Sequence, residues 1–126
     1  MSFDPLDAAL GELRRAGADY GDARLVSDER EAIHVRFEEV ETLQRGRSRG
    51  LGVRALWGGA WGFAARPDTD EASAVQAARD AVEVARAAAQ VSAHRVSLVE
   101  EEPGRGQWAN PVAVDPFALP LERKVA

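Results

Sequence analysis

At 126 residues, with 45% hydrophobic and 29% charged residues, the chain has the size and composition of one globular domain able to bury a core. It has no cysteine, which excludes disulfides, thiolate metal sites and cysteine nucleophiles and fits a cytoplasmic location. A net charge of −5, from 16 basic and 21 acidic residues, argues against a nucleic-acid binder, and no apolar run approaches the ~20 residues of a membrane-spanning helix.

The opening Met1-Ser2-Phe3-Asp4-Pro5 carries neither the basic region nor the apolar run of a signal peptide, so no leader is expected. Residues 5 to 16 read as a helix. Asp4 is a good N-cap, Pro5 suits the first helical position, Leu6, Leu10 and Leu13 recur at helical spacing, and Gly17 is placed to end it. Tyr20 to Val26 reads as a strand, followed by a polar turn at Ser27-Asp28-Glu29-Arg30. Ile33, Val35 and Phe37 then alternate with His34, Arg36 and Glu38 as a second strand, and Val40 to Gln44 returns antiparallel to it. Arg45-Gly46-Arg47-Ser48-Arg49 is expected to be a loop.

The next stretch is the most informative. Arg49 to Ala64 alternates like a hairpin and turns on Gly58-Gly59, the pair suited to a primed two-residue turn. Such a turn pairs Trp57 with Ala60 and Leu56 with Trp61. One face then carries Leu51, Val53, Ala55, Trp57, Ala60, Gly62 and Ala64, mostly small, and the other carries Arg54, Leu56, Trp61 and Phe63. Small residues let a helix approach, and one follows: Asp70 to Gln90 is Ala-rich, with Val75, Ala78, Val82, Ala85 and Ala89 on one stripe and Thr69 or Asp70 as N-cap. Pro67 stops the preceding strand. Beyond the helix, Arg95 to Glu100 is expected to form a short edge strand through Val96, Leu98 and Val99, and Glu101 to Gly106 a loop. Pro111, Pro116 and Pro120 then mark an extended segment. Leu121 to Ala126 reads as the first turns of a helix that is cut off, as in a fragment of something longer.

Few side chains here are arranged for chemistry. His34 and His94 lie far apart and lack the i, i+4 spacing that aims two imidazoles at one metal. His34 reads as a surface residue, and His94 as a partner of the helix C-terminus. The six serines have no base at a suggestive spacing, and Glu38-Glu39 and Glu100-Glu101-Glu102 read as solvated turns. Gly50-x-Gly52 lies in a strand and lacks the third glycine of a dinucleotide fingerprint, so it marks a close backbone approach. Arg45, Arg47 and Arg49 are the best phosphate-contact candidates, set against a solvated loop or a protein interface. Arg54, Leu56, Trp61 and Phe63 are candidates for contact with a partner or a peptide. Either the N-terminal helix covers their face, or another domain or subunit meets it.

Three segments together carry a resemblance. Gly17-Ala18-Asp19-Tyr20-Gly21-Asp22-Ala23-Arg24-Leu25, then Arg49-Gly50-Leu51-Gly52-Val53-Arg54, then Gly59-Ala60-Trp61-Gly62-Phe63-Ala64 resemble the N-terminal domain of the TldD/PmbA family. Ala77 to Ala85 is similar to the helix that follows there, and Trp108-Ala109-Asn110-Pro111 with Asp115 to Leu121 to the family's passage out of that domain. The resemblance runs through nearly the whole chain in order. It implies cytoplasmic proteins, once described as modulators of DNA gyrase and regarded as metallopeptidases, in which an active subunit with a His-Glu-x-x-x-His zinc motif pairs with a related subunit lacking it. The pair encloses a chamber where unfolded peptides are cut. No position of this chain matches the zinc motif, so no catalytic or metal residue carries over, and zinc is expected only in a C-terminal domain of an active full-length parent.

The expected fold is α+β: a mixed, largely antiparallel sheet with the Ala-rich helix packed on one face and a second, N-terminal helix nearby. Residues 1–106 form the family-like domain, and residues 107–126 a Pro-rich segment leading toward a C-terminal domain. The expected role is a non-catalytic module of a TldD/PmbA-like metallopeptidase or of its inactive partner subunit. Its partners would be that C-terminal domain, a related subunit and unfolded peptides, with no membrane partner. The alternative is a nucleic-acid-binding or gyrase-modulating module acting through the Arg segment.

Overall fold

The computed structural model describes residues 4–126; the reading of Met1 to Phe3 as free of a leader lies outside them. Element order is α1 (Pro5–Arg15), β1 (Tyr20–Arg36), β2 (Glu39–Trp57), β3 (Ala60–Arg66), α2 (Glu71–Val91) and α3 (Leu121–Val125). The strands form one sheet in the order β1-β2-β3, an α+β architecture whose hairpin connections make it antiparallel. The chain divides into two compact units. Unit 1 takes the residues through Asp28 together with Ser48–Leu98, and unit 2 takes Glu29–Arg47 with Val99–Ala126.

In unit 1, local chemistry sets the ends of both helices. Asp4 caps α1 by accepting from the Leu6 amide at 2.9 Å, with Pro5 in the first turn. At the other end Gly17 takes φ +80°, its amide donates to Arg14 O at 3.1 Å, and the Ala18 amide donates to Leu13 O at 3.0 Å. That pair of bonds is the Schellman closure, and it turns the chain directly into β1. Asp70 caps α2 by accepting from the Ser73 amide at 2.9 Å.

The β2–β3 hairpin has the expected register, with Trp57 opposite Ala60, Leu56 opposite Trp61 and Arg54 opposite Phe63. Gly58 and Gly59 both hold positive φ, as a type I′ turn requires. Leu51, Val53, Ala55, Ala60 and Gly62 are buried on one face, where α1 and α2 pack. The closest approach is at Gly62: a Cβ there would lie 2.0 Å from the Ala81 carbonyl oxygen and 2.5 Å from the Ala85 amide nitrogen. This contact rotates α2 slightly from its expected setting. The buried stripe is Ala74, Ala77, Ala78, Ala81, Val82 and Ala85, while Val75 and Ala89 are only half-buried, because the smallest residues must face the bare backbone of Gly62.

Helix α1 lies against α2 and contributes Ala9 and Leu13 to the same core. The buried Glu12 joins the two helices through Arg79 at 2.9 Å and also pairs with Arg15 at 2.6 Å. The N-terminal helix therefore shares the helical face of the sheet with α2.

Asp80 on α2 accepts from Gln76 at 2.8 Å and from Arg66 at 3.0 Å, and these hydrogen bonds hold its carboxyl below the usual carboxylate range. Asp70 is lowered likewise by its bonds to Ser73. A carboxyl whose pKa is lower folded than unfolded contributes stability at neutral pH and loses it as pH falls through the folded-state value. The urea midpoint is thus expected to decline on acidification below about pH 4, and Asp80→Asn to lower it at pH 7 while flattening that decline. An unchanged acid slope in the variant would show that Asp80 is not linked to folding.

Two expected breaks in the strands are absent. Ser27-Asp28-Glu29-Arg30 is no turn but the middle of β1, and Arg45 to Arg49 is no loop but part of β2. Within unit 2 the reason is cross-strand charge: Arg45 pairs with Glu31, and Arg47 with Glu29 at 3.3 Å. Opposite charges facing each other across a ladder stabilise strand segments made of polar residues, and no proline interrupts the run. Lys124 of α3 also reaches Glu31, at 2.5 Å, with both side chains largely buried. Hydrogen bonds from Lys124 and then Arg45 hold the Glu31 carboxyl below its ordinary range. The hairpin reverses at Phe37 (φ 50°) and Glu38 (φ 63°), a second I′ turn made without glycine.

The expected edge strand at Arg95 to Glu100 does not form either. The segment touches the hairpin turn instead, where the Val96 amide donates to Gly59 O at 2.8 Å. Gly59 sits in a turn, which offers one carbonyl and not a continuous edge.

Candidate functional site

Strand alternation builds a second surface on unit 1, on the side of the sheet away from α1 and α2. The register places Gly52, Arg54, Leu56, Trp61, Phe63 and Ala65 there. A Cβ at Gly21 would meet the Leu13 Cδ1 atom at 2.3 Å, so Gly21 faces α1 and its neighbours Tyr20 and Asp22, followed by Arg24 and Val26, take the other side.

Arg54 is the centre of this face. Its Nε and one terminal nitrogen donate to the same Asp22 oxygen at 3.0 and 2.6 Å. Its guanidinium lies 4.4 Å from the centre of the Trp61 ring, and Tyr20 meets that ring edge-on at 5.8 Å. The hydrogen bonds it donates to Asp22 raise the Arg54 pKa further, so the cation is permanent. Four side chains from three strands thus hold one another in place.

Arg54→Ala is expected to lower stability by about 1 kcal/mol, since the pair is partly exposed and screened. Its clearer mark is a red-shifted Trp61 emission. An unaltered spectrum would mean that the stacking does not persist in solution.

Beside this cluster runs a trough of about 580 Å³. Gly50 and Gly52 lie between Arg24 and Val26 on one side and Phe63 and Ala65 on the other, with Arg49 and Pro67 also lining it. Glycine at position 52 is needed for the ring of Phe63, which an added Cβ would approach to 3.1 Å. Phe63 is 62% exposed, unusual for a phenylalanine in a strand.

Of the candidate contact residues, Arg54 and Phe63 are exposed, Trp61 is half-buried and Leu56 is buried. Sequence reading missed Tyr20, Asp22 and Arg24, although their alternation with Gly21 and Ala23 was a usable signal. The three arginines considered for phosphate fall in both units. Arg45 and Arg47 are ion-paired in unit 2, whereas Arg49 belongs to unit 1 and lines the trough.

Among the described residues no group of three or more His, Asp or Glu could hold a metal ion, and no helix is long and apolar enough to cross a membrane. His34 stands exposed on β1, and His94 accepts from the Ser92 hydroxyl through its backbone carbonyl at 2.7 Å.

Residues 21–89, more than half of the chain, match the family described as PmbA/TldA metallopeptidase domain 1. The chain belongs to the PmbA/TldD family. The matched span takes in most of the sheet and nearly all of α2, and with them the Arg54–Asp22 pair and the whole trough of this PmbA/TldD domain. Among solved structures, TldE from Thermococcus kodakarensis is similar in fold, with a TM-score of 0.60 at 17% identity over 84% of this chain. The present chain spans 24% of that TldE chain. No curated protein matches it.

Proposed function

We propose that this chain is a non-catalytic N-terminal module of a PmbA/TldD metallopeptidase, contributing to the peptide chamber and to subunit contact. The observation that carries this reading is the open face of unit 1, where an exposed phenylalanine and a pre-ordered Arg54–Trp61 pair lie on the side of the sheet opposite α1 and α2. Such a surface suits a protein or peptide partner. The outer strands of the sheet, β1 and β3, add edges on which an unfolded peptide can form main-chain hydrogen bonds with little regard to sequence.

The described residues do not fit zinc, because no ligand set converges, and no step of peptide hydrolysis is assigned to them. Hydrolysis belongs in this reading to a C-terminal domain of the parent, reached through the Pro-rich residues 107–126 from a module of residues 1–106. The assembly partner is a related subunit of the same family, and the compartment is the cytoplasm.

The test uses Trp57 and Trp61 as reporters in a Trp108→Phe background, since Trp108 is highly exposed and would add a constant signal. A saturable emission change with an unfolded peptide is expected. A flat titration at saturating peptide removes the peptide-contact part of the reading.

A further inference from the structure

The charges around the trough do not balance. Asp22 is occupied by Arg54, and Arg66 by Asp80 at 3.0 Å. Arg24 and Arg49 remain, both exposed, and neither has an anionic partner among the described residues. The local excess is positive on a chain whose net charge is −5, so the distribution is not a by-product of composition. Between these cations and the exposed ring of Phe63 lie Gly50 and Gly52, where bare backbone leaves room for another chain.

We propose that the trough selects extended peptide segments in which a carboxylate side chain and an apolar side chain alternate, the carboxylate meeting Arg24 or Arg49 and the apolar group meeting Phe63. This rests on the peptide-contact reading above and adds its charge preference. Three physical points lead to it. In an extended segment, residues i and i+2 project to the same side about 7 Å apart, so one face of a peptide presents both groups together. Arginine binds carboxylate by charge-assisted, frequently bidentate hydrogen bonds that a hydroxyl or amide does not match. A trough of 580 Å³ has the dimensions of a site for a few side chains, not for a folded partner.

The experiment measures anisotropy of three capped, labelled heptapeptides of equal length with the Trp108→Phe chain. Their alternating positions carry Glu and Leu, Ser and Leu, or Lys and Leu. The Glu peptide is expected to bind at least ~10-fold tighter than the Ser peptide at low salt, with the Lys peptide weakest, and the spread to shrink toward unity at high salt. Arg24→Glu with Arg49→Glu should reverse the order, while Phe63→Ala should weaken all three by a similar factor. Both arginines are exposed, so the charge-reversed protein should keep its melting curve.

Equal affinities for the three peptides would overturn the charge preference and leave the peptide-contact reading standing. No binding of any peptide would remove both. Salt-sensitive binding of oligothymidylate without binding of the Glu peptide would reassign the trough to nucleic acid.

Discussion

Replacing Gly62 with valine is expected to abolish the fold of unit 1. The reason is the identity of the atoms in the way. A Cβ at this position meets the Ala81 carbonyl oxygen at 2.0 Å and the Ala85 nitrogen at 2.5 Å, both backbone atoms of α2. They cannot swing aside as a side-chain end can, so the whole helix must lift off the sheet. Lifting it exposes Ala77, Ala78, Ala81 and Val82, which belong to the only large core cluster among the described residues. Overpacking of an ordinary core costs about 1–3 kcal/mol, and adding the detachment of the main helix places this variant above ~4 kcal/mol, where a domain of this size no longer holds. Circular dichroism should show loss of cooperative melting. The control is Gly52→Ala on the same hairpin: its nearest obstacle is the exposed ring of Phe63 at 3.1 Å, which can move, so a change below about 1 kcal/mol is expected. Comparable melting of the valine variant and the parent would mean that α2 does not sit on Gly62 at all.

Gly62 also links the fold to the site. Its neighbours Trp61 and Phe63 point to the opposite side of the same strand, so the docking of α2 determines which face stays open. The small residues take the helix and the aromatics are left facing out. The functional face is therefore a consequence of where the bare backbone lies.

This division was legible in the sequence because it rests on strict alternation and on one turn. Gly58-Gly59 sets the register, and every pair from Leu51 to Arg66 follows from it. The caps at Asp4, Gly17 and Asp70 were equally readable, since each depends on one residue and its immediate neighbours. The antiparallel pair around Ile33, Val35 and Val40 to Gln44 was readable too, but the continuation of β1 and β2 through their polar stretches was not. Ser27 to Arg30 and Arg45 to Arg49 have the composition of loops, and only knowledge of which glutamate faces which arginine across the ladder makes them strands. The site was half legible for the same reason. Trp61 and Phe63 follow from the hairpin, whereas Asp22 reaches Arg54 across 32 positions, a long-range pairing that local pattern does not encode. The position of α1 is of the same kind: its amphipathic spacing says that it packs, not on which face.

That placement of α1 has its own test. Leu13 is buried, and its Cδ1 atom occupies the space that a side chain at position 21 would need, 2.3 Å from where a Cβ would sit. Leu13→Ala is expected to destabilise by about 2–4 kcal/mol, through lost burial and through the cavity opened over Gly21. Gly21→Ala alone is expected to cost only about 1 kcal/mol, because the obstacle is the tip of a flexible leucine, although the Arg54 carbonyl oxygen at 3.3 Å limits the relief. Combined, the two changes should not add. The methyl at position 21 partly fills the cavity and no longer meets Leu13, so the double variant should be more stable than the sum of the single effects by about 1–2 kcal/mol. Urea denaturation of the four proteins closes this cycle. Strict additivity within a few tenths of a kcal/mol would separate Leu13 from Gly21 and move α1 off the sheet, returning it to the position in which it could cover Trp61 and Phe63.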